Sequence, residues 1–289
     1  MNNILQLLIS GVSMGFIYAL VAIEYTLIWN ATSLLNFSHD KFIMLSAYAF
    51  AGTYVAGIGL PYALSVVLTL VTMFLFGIVV ALFIFNPLSK LASNLYAIIG
   101  TVILGRIITE AIRLIWGPIP FTLDDFLKGT ISVGDQVVSR PYIYIVIVCM
   151  IITFALTLFL KKSKIGMAMR CVSNNKNAAG LMGINVPLNL ALTVGISASI
   201  CTVIGILIIP LFNVHSTMSS MIGLKGFSAG VVGGFGYLPG AILGGLLIGL
   251  VENFGSMILP SVYKDVVSFG LLILFLLFRP SGILGHKKT

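Results

Sequence analysis

Apolar residues gather into long runs along this chain, and the polar ones gather between them. The runs cover residues 4–29, 41–57, 61–85, 95–116, 142–160, 187–211, 241–259 and 262–278. Each is long enough to cross ~30 Å of hydrocarbon as a helix, with 41–57 and 262–278 near the short limit. A further stretch, KGFSAGVVGGFGYLPG (residues 225–240), is apolar but dense in glycine. It is expected to form a short or broken helix, which membrane depth permits only where protein shields the backbone. The expected fold is therefore all-α. It is a polytopic integral membrane protein of about eight transmembrane helices plus this broken or re-entrant segment, in a single domain over residues 1–289.

Composition agrees with the pattern. Of 289 residues, 59% are hydrophobic and only 8% charged, against about 25% charged in soluble domains. The net charge of +8 is not a nucleic-acid footprint, because the basic residues sit at the ends of apolar runs, where they set topology. Lys90, the segment 161–186, Arg279 and the terminal HKKT hold most of the positive charge, while the loop 117–140 carries Asp124, Asp125 and Asp135 beside Lys128 and Arg140. The positive-inside rule puts the first group in the cytoplasm and the loop outside. Counting back then places the N-terminus outside and requires the glycine-rich piece to cross. Cys149, Cys171 and Cys201 suggest no disulfide framework. The opening MNNILQLLISGVSMGF has no positive leader and reads as a retained first span.

Five places carry candidate chemistry. The segment KKSKIGMAMRCVSNNKNAAGLMGIN (residues 161–185) is basic and reads as two short amphipathic helices around a polar turn, with Met167, Met169 and Met182 as adaptable apolar contacts. It is either an ordinary cytoplasmic loop or a surface that a peripheral motor pushes on. In NFSHDK (residues 36–41), His39 and Asp40 form either a proton relay or, with Asn36 and Ser38, a polar cap on the second span. Arg106, Glu110 and Arg113 share a helical face at spacings of four and three; Glu110 can bridge both arginines, or the stripe lines a pathway. GFSAG, centred on Ser228, has the spacing of a nucleophile motif but lies in a glycine-rich region with no convincing histidine partner. GAILGGLLIG places Gly240, Gly244 or Gly245, and Gly249 at small-xxx-small spacing, for close helix packing within the subunit or a dimer seam. No phosphate-binding G-x-x-x-x-G-K-[ST], metal-ligand spacing or dinucleotide fingerprint occurs in the sequence.

Four stretches together resemble one family, the permease subunits of branched-chain amino acid ABC importers. GFIYALVAIEYTLIW with LLNFSHDKFIMLSAY is similar to its N-terminal signature, and SKIGMAMRCVSNNKNAAGLMGINV to its cytoplasmic coupling loop. GFSAGVVGGFGYLPGAILGGLLIGLVE is similar to its glycine-rich region, and YKDVVSFGLLILFLLFRPSGILG to its closing span. The likeness runs nearly the whole chain, and the ending looks like the shorter of the family's two permeases. It implies alternating access driven by ATP and Mg bound on a partner, with no cofactor on this chain and no enzymatic activity of its own. The partners implied are a second homologous permease (or a second copy), two cytoplasmic ATPases and an external substrate-binding protein. The setting implied is the cytoplasmic membrane of a bacterium or archaeon. Ser163, Gly166, Arg170, Ala178, Ala179, Gly183, Ile184 and Asn185 match the coupling-loop pattern and are expected to serve ATPase docking. Asn36 and His39 match the signature, and Glu24, Asp40 and Lys41 depart from it; with Ser228 these are the candidate pathway residues. Glu24 and Lys41, departures of opposite charge, are expected to pair. Small apolar amino acids are the implied cargo. Urea, short amides, or an ion-coupled mechanism using His39 and Asp40 remain as alternatives.

Overall fold

The computed structural model describes residues 2–32, 34–89, 94–123, 126–133, 136–257, 260 and 263–285. Lys90, Asp124, Asp125, Asp135 and the terminal HKKT, on which part of the orientation argument rests, lie outside the described residues.

The helices are α1 (Asn2–Thr32), α2 (His39–Tyr48, continued by a π-helical stretch Ala49–Gly57), α3 (Tyr62–Val80, continued by a π stretch Ala81–Phe85), α4 (Asn86–Leu88) and α5 (Asn94–Trp116). After them come α6 (Arg140–Lys162), α7 (Lys164–Asn174), α8 (Lys176–Leu181), α9 (Val186–Phe212), α10 (Ser220–Gly233), α11 (Leu238–Gly255) and α12 (Lys264–Phe278). Each apolar run falls, over most of its described residues, on one of these helices or its π-helical continuation. Among the described residues, six helical stretches are long and apolar enough to cross a membrane: Gln6–Thr32, Tyr62–Leu88, Leu95–Trp116, Arg140–Lys162, Val186–Phe212 and Leu238–Gly255. The two remaining runs, α2 with its π extension and the 15-residue α12, are the two that sit near the short limit. The fold is thus all-α and multi-pass. The loop 117–140 departs from it in one detail: β1 (Thr130–Val133) and β2 (Gln136–Ser139) pair antiparallel, Thr130 opposite Ser139. Nothing in the apolar pattern announces so short a hairpin.

The chain divides into two compact units. The first comprises Met1–Thr26, Leu123–Thr153 and Met221–Thr289. Its packing is set by small residues. A side chain at Gly245 or Gly249 on α11 would run into the backbone of Ala19 or Gly15 on α1, and one at Gly240 or Gly244 would run into α10 at Gly233 or Ala229. The small-residue stripe is therefore an internal seam, with one face for each neighbour, and dispersion at close backbone approach holds it. The closing segment returns to α10: Ile283 N–H donates to Val232 O at 2.9 Å and Leu284 N–H to Gly233 O at 3.1 Å. Gly234 (φ +111°) and Gly282 (φ +73°) meet there in backbone conformations that side chains rarely adopt.

The second unit comprises Leu27–Thr122 and Phe154–Ser220. Its axis is α9: its apolar window is 78% buried, against 28% for the stretch Tyr62–Leu88. Gly77 of α3 meets Ala198 and Val194 of α9, and Gly205 of α9 meets Ser46 and Ile43 of α2, so α9 is clasped on two sides through glycine contacts. Phe42 stacks edge-on against Phe76 at 5.5 Å, and Tyr48 packs against Trp116 and Phe121 at 5.7 and 5.6 Å.

Candidate functional site

The segment 161–186 folds as a helix–turn–helix between α6 and α9, all of it in the second unit. Ser163 is the N-cap of α7 and its Oγ accepts from Gly166 N–H at 2.9 Å. Gly166 lies so close to the end of α6 that a Cβ there would come within 2.6 Å of Leu160 Cα. Asn175 caps α8 by accepting from Ala178 N–H at 3.0 Å, and Asn185 caps α9 by accepting from Leu188 N–H at 3.1 Å. Ala179 is the buried residue of α8. Past α8, Ile184 N–H donates to Ala179 O and Gly183 N–H to Gly180 O, with Gly183 at φ +85°. This is a left-handed helix stop that favours glycine. Arg170 is exposed and donates to Lys161 O at 3.3 Å.

Most of the residues expected to touch a partner therefore build the shape of the segment. The surface they present is carried by others: Leu181 is 91% exposed, Met182 81% and Met167 44%. Leu181 was not among the expected contacts; an apolar residue next to a glycine stop on a polar loop is the signal that marks it. Met169 differs from expectation the other way. It is buried, because its register on α7 turns it inward with Gly166 and Val172. Lys176 ties the segment to the end of α1 by donating to Thr32 O, and burial lowers its ammonium below the ordinary 10.5.

At the start of α2, Ser38 stands at the N-cap position but makes no side-chain cap hydrogen bond, and the polar residues close a turn ahead of the helix instead. Asn36 Oδ1 accepts from Ser38 N–H at 2.9 Å and from Ser38 Oγ at 2.7 Å, which closes a turn at the N-cap, Ser38. Asp40 follows in the first helical turn, where the helix dipole favours an anion. His39 is fully buried, its ring tilted against Phe42 at 6.5 Å. Phe37 N–H donates to Thr101 Oγ1 at 3.2 Å and anchors the turn to α5. Lys41 Nζ pairs with Asp40 and donates to Ser220 Oγ at 2.9 Å, since its sequence neighbour supplies the nearest carboxylate. Glu24 is fully buried on α1.

On α5, Glu110 does not bridge both arginines: it pairs with Arg113 at 3.3 Å, and Arg106 has no ion pair among the described residues. Ser228 sits inside α10 and donates to Leu224 O at 2.9 Å. A nucleophile elbow needs a strand-to-helix turn, so the GFSAG spacing is an accident of a glycine-rich helix.

One cluster was not anticipated at all. Lys225 of α10 lies 2.8 Å from both Glu252 of α11 and Asp265 of α12. Tyr18 and Ser268 donate to the other oxygen of Glu252 at 3.1 and 3.2 Å. The side chains of Lys225 and Glu252 are 8% and 7% exposed. Isolated charges in apolar runs are the sequence signal for such a cluster, and all its members belong to the first unit.

The comparisons with known proteins agree with this architecture. A family model described as "Branched-chain amino acid transport system / permease component" matches residues 7–276. The chain is 36% identical to the high-affinity branched-chain amino acid transport system permease protein BraD of Pseudomonas aeruginosa, over 99% of this chain and 97% of that protein. It is 34% identical to the corresponding permease LivH of Escherichia coli, over 99% and 96%. Similarity extends to a probable branched-chain amino acid permease of Methanocaldococcus jannaschii, 28% identical over 92% of this chain and 88% of that one. No solved structure matches the chain. A multi-pass helical architecture and near-full-length similarity lead to one conclusion: the chain belongs to the family of permease components of branched-chain amino acid transport systems.

Proposed function

We propose that this chain is one membrane subunit of an ATP-driven importer of branched-chain and other small apolar amino acids, and that α7 and α8 are where an ATPase docks. The capped, stiff helix–turn–helix supports this reading most directly. It projects Leu181 and Met182 nearly bare of their own chain, which is costly unless a partner covers them. Docking there lets movement of the ATPase dimer reach α6 and α9, the two long helices that the segment joins. The chain supplies passage and coupling. ATP and Mg are used by two cytoplasmic ATPases, a second homologous permease completes the pathway as a heterodimer, and an external binding protein selects the cargo. Ser163, Gly166, Ala178, Ala179, Gly183, Ile184 and Asn185 shape the docking surface, and Arg170 lies on it. Glu24, Asn36, His39, Asp40, Lys41 and Ser228 belong to the walls of the pathway, with no catalytic role.

The proposed orientation has the N-terminus outside and residues 161–186 and the C-terminus in the cytoplasm, in one permease domain of a bacterial or archaeal cytoplasmic membrane. At 14 residues, α10 is about 21 Å long, shorter than the hydrocarbon core. The hydrogen bonds of Ile283 and Leu284 to its end bring that end to the side of the C-terminal tail, which supports a crossing completed by residues 213–219. A photo-crosslinker at Leu181 tests the docking. Capture of the co-expressed ATPase is expected, and capture of lipid alone contradicts the reading.

A further inference from the structure

The charged stripe on α5 stands where neither lipid nor the subunit's own core accounts for it. Arg106 lies midway along the helix Asn94–Trp116, about 15 Å from its nearer end by helical rise, too deep for the stem to carry the guanidinium to the interface. It is exposed, and among the described residues it has no ion pair. Glu110 stands one turn further along on the same face and is 61% exposed, with Arg113 beyond it. Ile99, Val102 and Ile103 share the exposed face, whereas Ala97, Leu104, Ile108 and Ile112 point into the unit and are buried. A bare guanidinium at this depth against lipid is strongly unfavourable. The face therefore meets water or polar matter.

We propose that this face of α5 borders the passage and that Arg106 receives the carboxylate of the amino acid in transit, with Glu110 opposite its ammonium. The inference rests on the cargo reading above. The chemistry of the stripe matches one class of ligand. A guanidinium fork fits a carboxylate with two parallel hydrogen bonds. A carboxylate four residues on offers a cation site about 6 Å further along the axis, so the pair presents a plus-to-minus dipole to a zwitterion. Val102 and Ile103 give the flanking surface that an aliphatic side chain prefers. Because Glu110 is shared with Arg113, its hold on the ammonium is the weaker of the two, as release from a conducting site requires. A second copy of this chain does not satisfy the stripe: a two-fold axis along the membrane normal sets Arg106 at the depth of Arg106, cation against cation.

The test uses the whole complex with its co-expressed partners, after Cys149, Cys171 and Cys201 are replaced by serine, reconstituted in proteoliposomes with leucine as probe. Arg106→Gln is expected to lower leucine uptake at least ~10-fold, with Arg106→Lys restoring it only in part, while both variants still copurify with the partners. Arg106→Cys is expected to react with a charged methanethiosulfonate, more slowly when leucine-loaded binding protein and ATP are present. Phe83→Cys, on an exposed apolar face, serves as the unreactive control. Uptake by Arg106→Gln within about twofold of the parent, or an Arg106→Cys that is unlabelled or instead cross-links to the second membrane subunit, overturns the inference. Failure of the cargo reading shows earlier and separately: the parent complex then moves no branched-chain amino acid, and the inference falls with it.

Discussion

Lys225 Nζ lies 2.8 Å from Glu252 Oε1, and the same ammonium lies 2.8 Å from Asp265 Oδ1, so one cation joins three helices. The pair is buried, and Tyr18 and Ser268 satisfy the second oxygen of Glu252. Removing one member of such a pair leaves the other uncompensated, at a cost of about 3–5 kcal/mol, whereas replacing both with apolar groups is often nearly neutral. Lys225→Ala is therefore expected to lower the thermal midpoint in detergent sharply, and Lys225→Met with Glu252→Leu to recover much of the loss. Equal losses in the single and double variants would contradict this account of the cluster.

The glycines of α11 make a second case. Gly249→Ala pushes a methyl into the backbone of Gly15, and Gly245→Ala pushes one into Ala19. Both are expected to destabilise by about 1–3 kcal/mol, as overpacking does. Gly270→Ala on α12, where a Cβ meets nothing within 4 Å, is expected to stabilise by about 0.5–1 kcal/mol by helix propensity. Melting the three variants side by side checks the contrast in sign.

At the docking segment, Gly183→Pro forces φ from +85° to about −65° and removes the N–H that donates to Gly180 O. The helix stop is lost but the spans are untouched. Assembly is expected to persist while ATP hydrolysis no longer drives uptake, read as the ratio of transported amino acid to phosphate released. A normal ratio would remove the coupling role from this segment.

Lys176 gives a pH dependence. Its folded pKa is lowered from 10.5 by burial, so the folded state binds fewer protons than the unfolded one between the two values. The penalty is complete below the folded pKa and gone above 10.5. The midpoint of the parent relative to Lys176→Met is expected to rise as pH increases toward 10.5. A fall over that range would show that the hydrogen bond to Thr32 O outweighs desolvation.

The helices were legible because a chain in lipid satisfies its backbone internally and writes each crossing as an apolar run; residues 187–211 and 142–160 became α9 and α6 with margins of a few residues. Capping residues such as Ser163 and Asn185 were visible as a pattern, but not as caps, because the helices they start were not fixed by the sequence alone. The Lys225 cluster was hidden by distance along the chain: its members come from α1, α10, α11 and α12, and no local spacing joins them. The partner of Lys41 was hidden on the opposite ground: it is Asp40, one residue away, and adjacent opposite charges on a polar turn carry no helical spacing that marks them as a pair.

The most direct test of the central claim is ATP hydrolysis by the reconstituted complex, with and without binding protein loaded with a branched-chain amino acid. The account predicts stimulation by the loaded binding protein that disappears when residues 161–186 are altered. Uptake that follows a proton or sodium gradient with no associated ATPase would contradict it.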